Sequence, residues 1–345
     1  MSANERRTRA IVVTVAATLA LVNLAIWVAG AAPVHVWRLV LAGTLGNAYG
    51  LAQMLAKATP LIFTGVSVAY ALRAGLFNIG AEGQLAAGIL AAAVLGAHVP
   101  ASVPWWIGAP IVTVGAGLAG AALGGTAGFL RGRFGVHEVI STLMLNGLVA
   151  VLVTYLYGGP LRVGEQVHTR AVTAGARIPT FDAWIPALRG SALNVALLLA
   201  LAIPFLANAE LHRTVAGLRV RALGSNPSAA RALGVPLTAT TTRAMAVSGF
   251  FAGCGGLHYV LGAKGYAEDG LGVGVGFTGL AVAMLAQGRA WGIVFAAVLF
   301  GLLQQGGLVV NAIVPSDMLS VAQAIVLVAA ASLGAYLHAT REVRT

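Results

Sequence analysis

Charge is what this sequence has least of. Asp, Glu, Lys and Arg together make up 9% of its 345 residues, against about 25% in soluble globular chains, and a water-soluble fold is excluded. Lys57 and Lys264 are the only lysines, and no G-x-x-x-x-G-K-[ST] loop occurs, so the chain has no phosphate cradle with which to bind or hydrolyse ATP by itself. Cys254 is the single cysteine, which rules out an internal disulfide and a cysteine-type zinc site. His35, His98, His137, His168, His212, His258 and His338 have no metal-ligand spacing, and no serine or cysteine stands with a base in a triad pattern. No catalytic residue, cofactor or metal is expected, and the chain does not read as an enzyme. The alternating strands of about ten residues that a membrane barrel needs are missing as well.

What is there is apolar. The composition is 59% hydrophobic, and the intervals 83–130, 139–161, 190–209, 244–263, 270–288, 290–316 and 318–340 contain no charged residue. Each holds at least one helix of about 20 residues, the length that crosses a bilayer. Pro100 and Pro104 divide the longest interval into two spans. The run from Ala10 to Ala29 follows Arg6, Arg7 and Arg9, but it exceeds the 7–15 residues usual in a signal-peptide core and reads as an uncleaved first helix.

The sequence thus predicts an all-α polytopic membrane bundle in a single domain, residues 1–345. Its roughly ten spans fall near 10–30, 58–75, 83–98, 105–130, 139–158, 191–209, 243–262, 271–287, 290–311 and 319–338. With both termini cytoplasmic, Arg6, Arg7, Arg9, Arg73, Arg131, Arg133, Arg213, Arg219, Arg221, Arg231, Arg243, Arg289, Arg341 and Arg344 face inward. Arg38, Lys57, Arg162, Arg170, Arg177, Arg189 and Lys264 face outward, the imbalance that the positive-inside rule demands. The net charge of +11 is spread between spans and forms no single patch, so nucleic acid is not an expected partner. Gly120, Gly124 and Gly128 recur at four-residue spacing, a signal for close helix packing in lipid. Gly274, Gly276 and Gly279 match G-x-G-x-x-G formally, but inside an apolar stretch they read as packing glycines.

Two segments depart from plain apolar helix. Residues 73–84 read RAGLFNIGAEGQ and set Asn78, Glu82 and Gln84 among three glycines between two apolar stretches. Glycine at that density breaks a helix, and an acid at membrane depth is paired or functional; the alternative is an ordinary cytoplasmic turn with Glu82 in water. Residues 219–236 read RVRALGSNPSAARALGVP. Asn226 is a good N-cap, Pro227 suits the first helical position, and Gly234 with Pro236 stops the helix. The result is a rigid helix of about two turns in the longest cytoplasmic segment, 210–242. On the fifth expected span, Glu138 suits a helix N-terminus. Asn146 either lines a pathway or bonds a neighbouring helix.

Three stretches, GLFNIGAEGQ (75–84), HEVISTLMLN (137–146) and RALGSNPSAARALGV (221–235), resemble the permease subunits of ATP-binding-cassette importers for branched-chain amino acids, ribose-like sugars and nucleosides. The likeness runs over nearly the whole chain, and the first stretch is most similar to the nucleoside and simple-sugar branch. The sequence departs from the pattern at Thr278, where relatives commonly carry an acid or similar polar group, and near Ala290, where a proline is common.

The resemblance implies a multi-pass protein of the cell membrane that forms the translocation pathway while separate cytoplasmic ATP-binding subunits supply the energy. An extracytoplasmic substrate-binding protein delivers the solute, and a second permease subunit, identical or homologous, completes the pathway. Substrate-pathway residues are expected at Asn78, Glu82, Gln84 and Asn146. The coupling segment that docks on the ATPase is expected at Arg221, Gly224, Asn226, Pro227, Ala229, Ala230, Arg231 and Gly234. Nucleosides are the expected substrates, with ribose-like sugars or branched-chain amino acids as alternatives. The competing mechanism is an autonomous ion-coupled carrier or channel, for which Glu82 is the candidate ion site.

Overall fold

The computed structural model describes residues 3–315, 321–326, 328, 329 and 332. Within them the chain is all-helical, and seven helical segments are long and apolar enough to cross a membrane. Helix α1 (Ala3–Val28) leads into α2 (Pro33–Thr44), which opens on a proline whose missing N–H would have been an orphan there. Helix α3 (Ala48–Arg73) is N-capped by Asn47, whose side-chain oxygen accepts from the Gly50 N–H at 2.6 Å. The expected outer connector 31–57 is therefore α2 plus the opening turns of α3. A single Lys57, half-buried within α3, does not interrupt the helix.

Helix α3 is the axis of the bundle. Every residue from Ala58 to Ala71 is buried, with α7 (Ala196–Arg213), α10 (Leu237–Cys254), α11 (Val275–Ala286) and α12 (Ala290–Val310) packed around it. Helices α4 (Ala81–Gly96), α5 (Trp105–Phe134) and α6 (Glu138–Gly158) form the adjoining layer. The closest pairing, α5 with α10, is made by glycine. A methyl on Gly120 would lie 3.0 Å from Gly253 Cα, and one on Gly124 would lie 3.2 Å from Gly249 Cα. Backbones approach this closely in lipid only where side chains are nearly absent.

Beyond the C-terminal end of α7, α8 (Val215–Ser225) and α9 (Pro227–Ala232) follow. At the other end, residues 168–178 fold back over the chain after α10, with Thr169 N–H donating to Ala267 O at 2.9 Å and Ile178 N–H to Leu261 O at 3.0 Å.

Two expected spans are shorter than a bilayer. The 16 residues of α4 and the 12 of α11 rise about 24 Å and about 18 Å, against about 30 Å of hydrocarbon. The expected span at 271–287 is instead a half-length helix preceded by an irregular segment. There Gly265, Gly270, Gly272 and Gly274 all adopt φ between 80° and 85°, a conformation that ends right-handed helix. The tenth expected span, 319–338, and the cytoplasmic C-terminus lie largely outside the described residues.

Candidate translocation and coupling site

The two short helices meet. In the first turn of α4, the Glu82 carboxylate accepts the Gly274 N–H at 2.6 Å, the Gly276 N–H at 2.7 Å and the Phe277 N–H at 3.3 Å. These are the orphan donors at the N-terminus of α11, where a negative charge is favoured by both hydrogen bonding and the helix dipole. Gly276 has to be glycine, since an added Cβ would run into the backbone of Ala81 and Glu82. The junction sits deep. Thr64 of α3 donates to Val275 O at 3.2 Å and stands nine residues, about 13 Å along the helix, from the inner end of α3 at Arg73. At the other end of α11, Arg73 donates to Gly288 O at 2.7 Å. Helix α11 thus runs from the cytoplasmic side to about half depth and stops.

The remaining polar residues of the 73–84 segment fix the start of α4. Asn78 is fully buried, and its amide is paired reciprocally with that of Gln84: Asn78 Nδ2 donates to Gln84 Oε1 at 2.8 Å, and Gln84 Nε2 to Asn78 Oδ1 at 3.1 Å. Asn78 also donates to Ser248 Oγ on α10 at 2.7 Å, and Ser248 donates to Ser67 O on α3 at 2.7 Å. From α6, Asn146 accepts the Gly83 N–H at 2.9 Å and donates to Ile79 O at 3.0 Å. The structure therefore brings Asn78, Glu82, Gln84 and Asn146 together around the α4 N-terminus, each with its polar atoms bonded to other parts of the protein. Glu138, at the start of α6, is buried and pairs with Arg131 at 3.3 Å.

Sequence reasoning missed the segment above this junction. Asp269 and Gly270 are exposed, Val273 is 76% exposed, and Phe277 on α11 is 47% exposed. A methyl built on Gly147, Gly270 or Gly274 would touch nothing within 4 Å. The signal was available as the glycines at 270, 272, 274, 276 and 279 in an apolar run, but it reads equally well as helix packing.

At the Arg73 end of α3, Asn226 caps α9 by accepting the Ala229 N–H at 3.0 Å, Pro227 occupies its first position, and Gly234 ends it at φ 77°. Asn226, Pro227, Ala229, Arg231 and Gly234 are exposed, whereas Ala230 is buried against the body. Leu233, not singled out from sequence, is 82% exposed. Arg221 turns inward and donates to Leu211 O at 3.0 Å. Gly224 packs against the end of α3, where an added methyl would lie 2.9 Å from the carbonyl carbons of Arg73 and Ala74; Gly75, at φ 70°, faces Gly224 in turn. The α8–α9 segment is thus seated directly on the stretch of chain that leads to Asn78 and Glu82.

Half-helices that meet at membrane depth, irregular backbone beside them and a short helix seated on the same segment are features of membrane transport proteins. Residues 50–331 match the family described as branched-chain amino acid transport system / permease component, and the chain belongs to that family. The chain is 35% identical over 296 residues to the guanosine ABC transporter permease protein NupP of Bacillus subtilis, covering 84% of this chain and 83% of that one. It is 31% identical over 324 residues to the glucose ABC transporter permease protein TsgB13 of Haloferax volcanii, covering 92% and 85%. To the nucleoside ABC transporter permease protein NupB of Lactococcus lactis it is 32% identical over 269 residues, covering 76% and 73%. The chain is accordingly an ABC transporter permease subunit, an integral protein of the plasma membrane and not itself an enzyme. Members of this family work with ATP-binding subunits and a substrate-binding protein.

Proposed function

We propose that this chain forms one half of the translocation pathway of a nucleoside importer, with simple sugars as the nearest alternative. The observation that carries the reading is the exposed, irregular backbone of residues 269–274 above the half-depth junction. The segment is a run of turns held by local bonds such as Val273 N–H to Gly270 O at 3.3 Å, and irregular backbone of this kind occurs at membrane depth only where it is buried in protein or lines water. A second permease subunit, identical or homologous, closes this water-lined face into a pathway.

Asn78, Glu82, Gln84 and Asn146 belong to that pathway as the residues that hold its inner wall, fixing the starts of α4 and α11. The ATP-binding subunits dock on residues 219–236 through Asn226, Pro227, Ala229, Arg231 and Leu233. Their movement passes through Gly224 and Gly75 to the 76–80 segment and on to the Glu82 junction. The guanosine and nucleoside permeases among the relatives favour nucleosides, and the glucose permease favours a sugar. An autonomous ion-coupled carrier is the weaker reading, because three backbone amides already occupy the Glu82 carboxylate.

The test is reconstitution into liposomes with the ATP-binding subunits and the binding protein. ATP-dependent accumulation of labelled guanosine or uridine is expected, with no uptake by the chain alone under a proton or sodium gradient. Gradient-driven uptake without the ATP-binding subunits overturns the reading.

A further inference from the structure

Above the Glu82 junction, the irregular segment carries one acid, Asp269, that forms no ion pair among the described residues. Asp269 is exposed, and its carboxylate accepts the Gly270 N–H at 3.1 Å and, loosely, the Thr154 hydroxyl at 3.4 Å from each oxygen. Thr154 lies 16 residues along α6 from Glu138, about 24 Å by helical rise, and one turn short of the outer end at Gly158. Beside it, Tyr157 is 1% exposed, its hydroxyl is buried without a hydrogen-bond partner, and it lies within electrostatic reach of Asp269. A buried hydroxyl left unpaired is rare because it forfeits about 1–3 kcal/mol. Such a group marks a place that a polar ligand or water fills.

We propose that Asp269, with the hydroxyls of Thr154 and Tyr157, is a binding site for the vicinal diol of the transported sugar ring; this rests on the nucleoside or sugar reading given above. A carboxylate offers two oxygens side by side and accepts both O–H groups of a cis-diol, the geometry used wherever an acid recognises ribose hydroxyls. The two protein hydroxyls then donate to, or accept from, the same oxygens. The open space over Gly270 lets a ring approach the backbone. Of the cations near this segment, Lys264 is already paired with Glu268, and Arg177 donates to Ala263 O.

The test uses the complete transporter in cells lacking other nucleoside uptake, comparing labelled uridine with 2′-deoxyuridine for wild type, Asp269→Asn and Thr154→Val. The same binding protein serves every variant, so a change in the ratio reports the permease. Asp269→Asn is expected to lower uridine uptake about tenfold while changing 2′-deoxyuridine uptake little, as a site built for hydroxyls discriminates. Thr154→Val is expected to move the ratio in the same direction by less. Competition by ribose or glucose then distinguishes a sugar-specific site from one that needs the base. An unchanged ratio in Asp269→Asn, with the variant present in the membrane at wild-type level and bound to its ATP-binding subunits, overturns the proposal while leaving the importer reading intact. Wild-type cells that import neither nucleoside nor sugar overturn both.

Discussion

Glu82 is a half-buried acid at membrane depth whose charge is met by backbone amides alone among the contacts described for it. Hydrogen bonds to a charged group are worth about 1.5–3 kcal/mol each, roughly twice a neutral one. Glu82→Gln keeps the shape and removes the charge, so the α11 N-terminus loosens. We expect uptake to fall at least about tenfold and detergent-solubilised thermal stability to drop, both measured on protein that still inserts; full activity in Glu82→Gln would show that the carboxylate is dispensable. The α5–α10 contact gives a second residue-scale prediction. Gly249→Leu forces a side chain into the backbone of α5 near Gly120 and Gly124, and overpacking of this kind costs about 1–3 kcal/mol or more. A lowered melting temperature is expected, with Gly147→Ala as the control, since nothing lies within 4 Å of the added methyl. The packing role of Gly120, Gly124 and Gly128 was legible in the sequence because four-residue spacing is the repeat of a helix face. The partners of Glu82 were not legible, because they lie about 190 residues away.

At the scale of elements, α9 was the most readable piece of the chain. Its cap, its opening proline and its closing glycine act locally, so no tertiary information was needed to place it. Which face it offers was a different matter. Ala229 and Ala230 are equivalent in sequence, yet Ala230 is buried and Ala229 is exposed. Leu233→Asp should therefore abolish co-purification of the ATP-binding subunits while leaving the permease folded; retained association would move the docking surface elsewhere. Ala230→Glu should instead destabilise the permease itself, because it places a charge in a buried contact. Helix α11 shows the opposite balance. Its hydrophobicity predicted a full span, but the run of left-handed glycines before it ends the helix at half length, and only the Glu82 carboxylate makes an N-terminus tenable at that depth.

For the whole molecule, the proposed pathway needs a second permease subunit over the exposed segment at 269–274. Where that subunit is a second copy of this chain, Val273→Cys in a Cys254→Ser background is expected to cross-link to it in membranes, a bridge visible as a doubled mass on non-reducing gels. If Val273→Cys reacts only with lipid-soluble reagents, the face is turned to the bilayer. A ten-span topology with both termini inside makes a further expectation, that a reporter fused after Thr345 is active only in the cytoplasm.

The sequence by itself determined that the chain is a helical membrane protein, and where helix α9 begins and ends. Both depend on local quantities: hydrophobic length set against bilayer thickness, and capping chemistry within a few residues. Only the tertiary structure decided that α11 is a half-helix, that Asn78, Gln84 and Asn146 bond through their amides to α3, α4, α10 and residues 78–80, and that Asp269 is exposed. A polar residue in an apolar run is costly in lipid unless it is paired, and whether its partner is another helix or a solute depends on which segments the fold brings beside it.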